Sequence, residues 1–335
     1  MKWFRLFDKV FSEKNLWVAF QQVARKKGAA GVDHVTVDDF ERRLPDSVWE
    51  LSDQLKAGTY RPQAVRRVNI PKPGSNETRP LGIPTVRDRT VQAAVVNVIE
   101  PIFEIDFAER SYGFRPGRGC KDALRRVDPR IKAGYVHTVD ADLKSSLDPL
   151  DHLVANSGFE MVRYADDFVI LCRTGEDAQR ALELVRNWVA ENELTLHPTK
   201  TKIVDSRTEG FSFLGDTFKR HSRVPREKSL KKLKEVLRQK TRRNSGDSMV
   251  FIVNHLNETL RGWFAYFQHI RPPGIFRDLD SWLRMRLRSI LRKRVGGRGR
   301  GHGFDNSRWP NRYFADLGLF SLAAARVKVV QSSRR

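Results

Sequence analysis

EMVRYADDFVILC, residues 160–172, sets two adjacent carboxylates, Asp166 and Asp167, between two short apolar runs. Glu160 to Tyr164 and Phe168 to Cys172 are rich in β-branched and aromatic residues, which predicts two strands joined by a tight turn. Asp is an ordinary turn former, but two like charges side by side also suit a bound cation. The tetrapeptide YADD alone leaves both readings open, and the flanking sequence has to decide.

Outward from the hairpin, YVHTVDAD (135–142) predicts a strand and DPLDHLVAN (148–156) a short helix. EDAQRALELVRNWVAENE (176–193) predicts an amphipathic helix, with Ala178, Leu182, Val185 and Val189 on one stripe. TKTKIVD (199–205) predicts a strand, and FSFLGDTF (211–218) a further apolar strand. The order from 135 to 205 is therefore β-α-β-β-α-β, the ferredoxin-like arrangement. In it the first two strands run parallel with the third between them, so the end of the first lies beside the turn joining the second and third. Asp142 is thus expected next to Asp166 and Asp167. Asp140, two residues back on the same side of a strand, is a second-choice ligand, with a solvated strand-end charge as its commoner role.

Three clustered carboxylates push one another's pKa values up unless a divalent cation relieves them. Oxygen-only donors suit Mg²⁺, with Mn²⁺ as a substitute, rather than Zn²⁺. Two such ions, roughly 3.5–4 Å apart, hold the attacking and leaving oxygens of an in-line phosphoryl displacement. Nucleotidyl transfer or phosphodiester cleavage is the chemistry this predicts.

Charge agrees with a nucleic-acid partner. The 335 residues carry 62 Lys and Arg against 40 Asp and Glu, a net charge of +22. Between residues 219 and 300 there are 23 basic and 6 acidic side chains. Three helices are predicted there, at 229–243, 249–269 and 276–294. SLKKLKEVLRQKTRR puts Leu230, Leu233, Val236 and Leu237 on one face and Lys231, Lys234, Arg238 and Arg242 on the other. SWLRMRLRSILRKR repeats the design with Arg288 and Arg292. These six are the expected RNA contacts. Trp263, Phe264, Tyr266 and Phe267 could stack on bases, but the helical spacing of Trp263, Phe264 and Phe267 favours the core. GGRGRGHG (296–303) predicts a flexible basic linker.

Toward the N-terminus, a helix is expected at 12–27, capped by Ser12, and another opens at TVDDFERRL with Thr36 and Asp39 as a capping box. Residues 63–84 predict a hairpin, and TVRDRTVQAAVVNVIEPIF a long buried helix capped by Thr85. SYGFRPGRG (111–119) is a loop. No apolar run approaches 18 residues, MKWFRLFDKVFSEKN lacks the core of a secretory signal, and Cys120 and Cys172 make no metal-ligand spacing. A soluble, cytoplasmic protein is the expectation.

YADD inside an apolar hairpin resembles the active-site motif of reverse transcriptases. IPKPGSNETRPLGIPTVRDRTVQAAVVNVIEPIFE, SYGFRPGRGCKDAL, DADLK, HPTKTKIVD and FSFLGDTF resemble, in order, the blocks of group II intron-encoded reverse transcriptases. The segment holding GWFAYFQHI resembles their maturase, or thumb, domain. The resemblance implies an α+β, right-hand-like polymerase. Its expected parts are an N-terminal helical extension (1–62), fingers (63–134), a reduced ferredoxin-like palm (135–218), an all-helical thumb/maturase domain (226–295) and a basic linker and tail (296–335). It implies Asp142, Asp166 and Asp167 as the catalytic triad, binding two Mg²⁺ ions. Lys72 and Arg79 match positions that contact the incoming triphosphate. Arg115 matches a template or nucleotide contact, with a structural salt bridge as its alternative, and Lys200 or Lys202 a position near the triphosphate. The implied partners are group II intron RNA, a primer-template and deoxynucleoside triphosphates. No HNH-type zinc endonuclease motif follows, which points to the endonuclease-lacking branch.

One departure stands out. The family continues DLK as D-L-K-x-x-F-D, then runs through a helical stretch and a P-Q-G loop before the hairpin. Here DADLKSSLDPLDHLVANSGFEMVRYADD goes almost directly from one to the other, with Leu147 where a steric-gate Phe is usual. An in-frame internal deletion accounts for this most simply. Residues 143–158 still suffice for a crossover, which needs roughly 10–12 positions. The expected result is metal binding with weak or absent polymerase activity. The alternative is a non-catalytic RNA-binding splicing factor that stabilises intron RNA.

Overall fold

Capping and periodicity decide the N-terminal half. In the computed structural model, which describes residues 6–71, 77–143, 147–196, 201–220, 222–270, 274–299 and 303–332 and gives Asp142 by its backbone alone, the chain divides into two units, Met1–Phe107 and Ala108–Arg335. The first unit runs α1 (Leu6–Val10), α2 (Glu13–Arg25), α3 (Val37–Arg42), α4 (Leu44–Lys56), β1 (Arg66–Pro71), β2 (Thr78–Ile83) and α5 (Val86–Phe103). The hydroxyls of Ser12 and Thr85 accept from the amides of Asn15 and Asp88, and Thr36 with Asp39 forms the capping box, as expected. Leu16, Phe20, Phe40 and Leu51 are buried together, and the Phe20 and Phe40 rings stack at 5.2 Å. α5 differs from the expected buried helix. Val91 and Ala94 are enclosed by α1 and α2, but farther along Val96 and Phe103 are exposed. β1 and β2 pair antiparallel, with Ile70 opposite Arg79.

The second unit runs α6 (Cys120–Lys132), β3 (His137–Asp142), α7 (Asp148–Asn156), β4 (Glu160–Tyr164), β5 (Asp167–Cys172), α8 (Gly175–Glu191) and β6 (Lys202–Asp205). After these come β7 (Phe211–Phe213), β8 (Asp216–Lys219), β9 (Ser222–Pro225), α9 (Glu227–Lys240), α10 (Met249–Phe267) and α11 (Gly274–Arg294). α12 (Gly303–Arg308), α13 (Asn311–Asp316) and α14 (Leu322–Ser332) close the chain. The main sheet has the order β4-β5-β3-β6. β5 is antiparallel to both neighbours, so β3 and β4 are parallel with β5 between them, the arrangement the β-α-β-β-α-β order requires. Both faces are covered, which is why these strands carry unbroken apolar runs. Phe168 and Ile170 pack with Leu182 and Val185 of α8 on one face. Val169 and Leu171 pack with Leu124 and Val127 of α6 and with Phe211 and Phe218 on the other.

FSFLGDTF is two strands and not one. Leu214 and Gly215 have φ of +48° and +84°, the pair of left-handed residues a two-residue hairpin needs, and the chain turns there between β7 and β8. Farther on, Leu233, Leu256, Phe276 and Leu283 form a separate core for α9 to α11. The expected linker and tail are also corrected in part. Three helices, α12 to α14, lie within residues 303–332, and Trp309, Phe314 and Leu322 enter that same core. Large apolar side chains outweigh the local glycine content. Among the described residues no helix is long and apolar enough to cross a membrane.

Candidate active site

The hairpin 160–172 turns through two residues, Ala165 and Asp166, with Tyr164 opposite Asp167. Ala165 has φ +57°, a left-handed conformation that costs a non-glycine residue about 1–2 kcal/mol. Its surroundings hold it there. The Arg163 Nη1 donates to the Ala165 carbonyl at 3.0 Å, while its Nε lies 2.8 Å from both carboxylate oxygens of Asp151 on α7. Both side chains of that ion pair are buried. On the other side, the Arg163 amide donates to the Arg110 carbonyl and its own carbonyl accepts from the Tyr112 amide. The next residue, Gly113, lies so close that an added Cβ would stand 2.1 Å from the Ala165 nitrogen. Glu160, buried at the start of β4, is gripped by Arg126 at 2.7 Å, Arg130 at 3.2 Å and Arg110 at 3.3 Å.

This frame brings together the three acids singled out from sequence, as far as the backbone describes them. Asp142 and Asp167 are direct register partners, a Cα separation of roughly 4.5–5.5 Å for antiparallel strands. The Leu143 amide donates to the Asp166 carbonyl at 3.2 Å. Asp166 is exposed and Asp167 half-buried. Among the described residues no three His, Cys, Asp or Glu side chains gather as a metal-holding group, and the Asp142 side chain lies outside that description. The donor set itself, carboxylate oxygens only, fits a hard divalent cation. Asp140 sits two residues back, opposite Val169 on one side and Lys202 on the other. Lys202 pairs with Glu209 at 3.0 Å, and Lys200 lies outside the described residues. Leu147 is buried against the α7–α8 face of the sheet.

Lys72 lies outside the described residues. Arg79 is exposed on β2 of the first unit. Arg115 is buried, and its Nη1 donates to the Ala108 and Ser111 carbonyls at 2.6 and 3.0 Å, which fastens the loop that braces the hairpin. Of the expected RNA contacts, Lys231 is exposed beside Glu227 at 2.7 Å, and Arg242 is exposed. Lys234 and Arg238 both lie 5.7 Å from the Trp282 ring centre. Arg288 is a correction. It is 4% exposed, donates to the Trp309 carbonyl and to Asn311, and lies over the Phe314 ring; α13 covers the face that sequence left bare. Arg292 is likewise turned to the protein, donating to the Arg298 carbonyl and pairing with Asp305 at 3.0 Å.

Sequence reasoning missed the supports. Arg163 and Asp151 each interrupt an otherwise apolar face, and that interruption was the available signal. A second buried group ties β8 to the helices. Asp216 is fully buried and accepts from Arg223 at 2.6 Å and lies 2.7 Å from His269 Nε2. Nearby, the Tyr266 hydroxyl donates to the Leu214 carbonyl at 2.7 Å. Burial, reinforced by Cys120, pushes the Tyr266 hydroxyl above its ordinary range.

Comparison with known proteins bears directly on this arrangement. A family model for the reverse transcriptase (RNA-dependent DNA polymerase) matches in two pieces, 70–152 and 144–218. A model for the group II intron maturase-specific domain matches 230–306. The chain carries a reverse transcriptase domain followed by a group II intron maturase-specific domain. The group II intron-encoded protein LtrA of Lactococcus lactis is 38% identical over 151 residues, 44% of this chain and 24% of that protein. Protein YkfC of Escherichia coli is 42% identical over 132 residues, 38% of this chain and 34% of that one. Nuclear intron maturase 2 of Arabidopsis thaliana is 44% identical over 62 residues, 18% of this chain and 8% of that one. This reverse transcriptase–maturase chain therefore spans about a quarter to a third of LtrA and YkfC. Its Asp166–Asp167 hairpin falls inside the second reverse-transcriptase piece, and α9 to α11 fall almost wholly inside the maturase-specific match.

Proposed function

We propose that this chain acts on group II intron RNA through two parts: a catalytic palm built on the sheet β4-β5-β3-β6 and an RNA-binding maturase domain built on α9 to α11. By family it is an RNA-directed DNA polymerase, drawing on a primer-template and deoxynucleoside triphosphates. Asp142, Asp166 and Asp167 would hold two Mg²⁺ ions, with Mn²⁺ as a substitute, and the ions would supply charge neutralisation for phosphoryl displacement. The chain's own part is positional. Arg163, Asp151 and Gly113 keep the turn in place so that Asp167 stays opposite Asp142. Arg79 and Lys72 serve the incoming triphosphate, as the family resemblance implies, and Arg115 acts through the loop it fastens.

The observation that carries this reading is the register pairing of Asp142 with Asp167. The shortened stretch between β3 and β4 limits it. The two reverse-transcriptase pieces overlap at 144–152, where an internal deletion would have joined distant parts of the domain, and the P-Q-G loop is missing. The palm accordingly supports weak or no extension. That same observation favours a second reading, an RNA-binding splicing factor without catalysis. Extension of a DNA primer on an RNA template with Mg²⁺, set against binding to intron RNA in excess tRNA, separates the two. Tight binding with short, Mg²⁺-dependent cDNA supports the weakened polymerase, tight binding with no cDNA supports the splicing factor, and abundant full-length cDNA contradicts the impaired palm.

A further inference from the structure

Between the end of α9 at Lys240 and the start of α10 at Met249 lies a cavity of about 930 Å³, within the range of ligand pockets, roughly 300–1,000 Å³. Arg238, Arg242, Arg243 and Arg286 line it together with Phe251 and His255. A neighbouring cavity of about 560 Å³ shares Arg238, Arg243 and Arg286 and adds Trp282. Among the described residues Asp247 is the one carboxylate lining either, and it already accepts from the Ser245 hydroxyl at 2.5 Å. Arg238 and Arg286 lie over the same Trp282 ring at 5.7 and 5.5 Å. Burial, and then the charge of Arg238, holds the Arg286 guanidinium below its ordinary pKa, a conflict that an anion would relieve.

Cations alone would suit any polyanion; the aromatic pair narrows the choice. Phe251 is 57% exposed, unusual for a residue that ordinarily buries. It stands one helical turn before His255, the rings nearly parallel at 20° with centres 6.1 Å apart. Ser248 caps the helix on the Phe251 amide, and Lys240 donates to the His255 carbonyl at 2.9 Å, so the helix turn that carries both rings is tied at the cavity wall. A regular duplex offers phosphates but keeps its bases stacked inside. An extruded base offers a face for the rings as well as flanking phosphates for the arginines.

We propose that this cavity seats a single unstacked ribonucleotide of a bulge or loop, its base on Phe251 and His255 and its flanking phosphates on Arg238, Arg243 and Arg286. The inference rests on the reading of this chain as an RNA-binding protein and names what part of the RNA the α9–α10 junction recognises.

The test uses the full chain, a blunt RNA duplex and the same duplex with a one-nucleotide 2-aminopurine bulge, followed by anisotropy and 2-aminopurine fluorescence. The bulged RNA should bind more tightly and its 2-aminopurine should be quenched on binding. Phe251→Ala should weaken bulge binding about tenfold, the scale of one base–aromatic stack, restore the fluorescence and leave duplex binding unchanged. Arg243→Ala should weaken both RNAs alike and reduce the salt slope by about one. Phe304→Ala, an exposed ring on α12, should change neither. If wild type binds both RNAs and Phe251→Ala behaves as wild type, or loses both equally, the unstacked-nucleotide site is overturned while RNA binding stands. If wild type binds neither RNA above a tRNA competitor, the RNA-binding reading itself fails and the site with it.

Discussion

Asp142 and Asp167, 25 positions apart in the chain, are cross-strand partners, the last residue of β3 against the first of β5. No local sequence preference makes that pairing. It follows from placing β5 between β3 and β4, and it converts an acidic turn into one side of a cross-strand pair of acids. The geometry depends on a turn whose first residue, Ala165, sits in a left-handed conformation, so the supports around that turn are where the account is most exposed to test.

Gly113→Ala should disturb the turn without touching a carboxylate. The added methyl would stand 2.1 Å from the Ala165 nitrogen, and backbone cannot swing aside as a side chain does. A loss of about 1–3 kcal/mol in urea unfolding is expected, with weakened divalent-ion binding. Unchanged stability and unchanged ion binding would show that the loop does not brace the hairpin.

Asp151→Ala strands Arg163 without its buried partner. Breaking a buried pair from one side costs about 3–5 kcal/mol. Asp151→Leu combined with Arg163→Met removes both charges and should unfold at higher urea than Asp151→Ala alone. A single variant as stable as wild type would mean the pair carries no weight.

The buried Asp216 should behave in the same way at the junction of sheet and helices. Asp216→Ala leaves Arg223, itself buried, uncompensated and frees His269. Hydrogen exchange should then rise in β8 and at the C-terminal end of α10 more than in α8. Uniform exchange across all three would contradict the view that Asp216 links them.

Cys172 gives a pH test. Burial pushes its thiol up to about 12 from an ordinary 9.0, so the folded chain holds this proton more tightly than the unfolded chain. Its contribution to stability is complete below the ordinary value and is lost as pH rises from there toward about 12. The urea midpoint of wild type should therefore fall more steeply across that window than that of Cys172→Ala. At neutral pH, iodoacetamide should modify Cys120 before Cys172, as read by peptide mass spectrometry. Parallel pH curves for the two proteins would contradict the thiol's burial.

The strand order of the main sheet was legible because its elements announce themselves by period: unbroken apolar strands, and a stripe on α8. The helix caps at Ser12, Thr36 and Thr85 were legible from local chemistry. What escaped were features set by tertiary contact. The turn at Leu214–Gly215 hides inside an apolar run that reads as one strand. Arg288 looks like a surface cation until α13 covers it, and Trp309 and Phe314 are drawn into the core past a glycine-rich stretch. The bracing residues Gly113, Arg163 and Asp151 act across the fold, and sequence marks them only as interruptions of a pattern.

Whether Asp142, Asp166 and Asp167 together hold divalent ions is read by Mn²⁺ binding to the full chain, followed by electron paramagnetic resonance. Wild type should show saturable binding that Mg²⁺ displaces, and that Asp142→Asn and Asp167→Asn each abolish while the far-ultraviolet circular dichroism stays unchanged. Saturable binding that survives Asp142→Asn would contradict a site shared by the three.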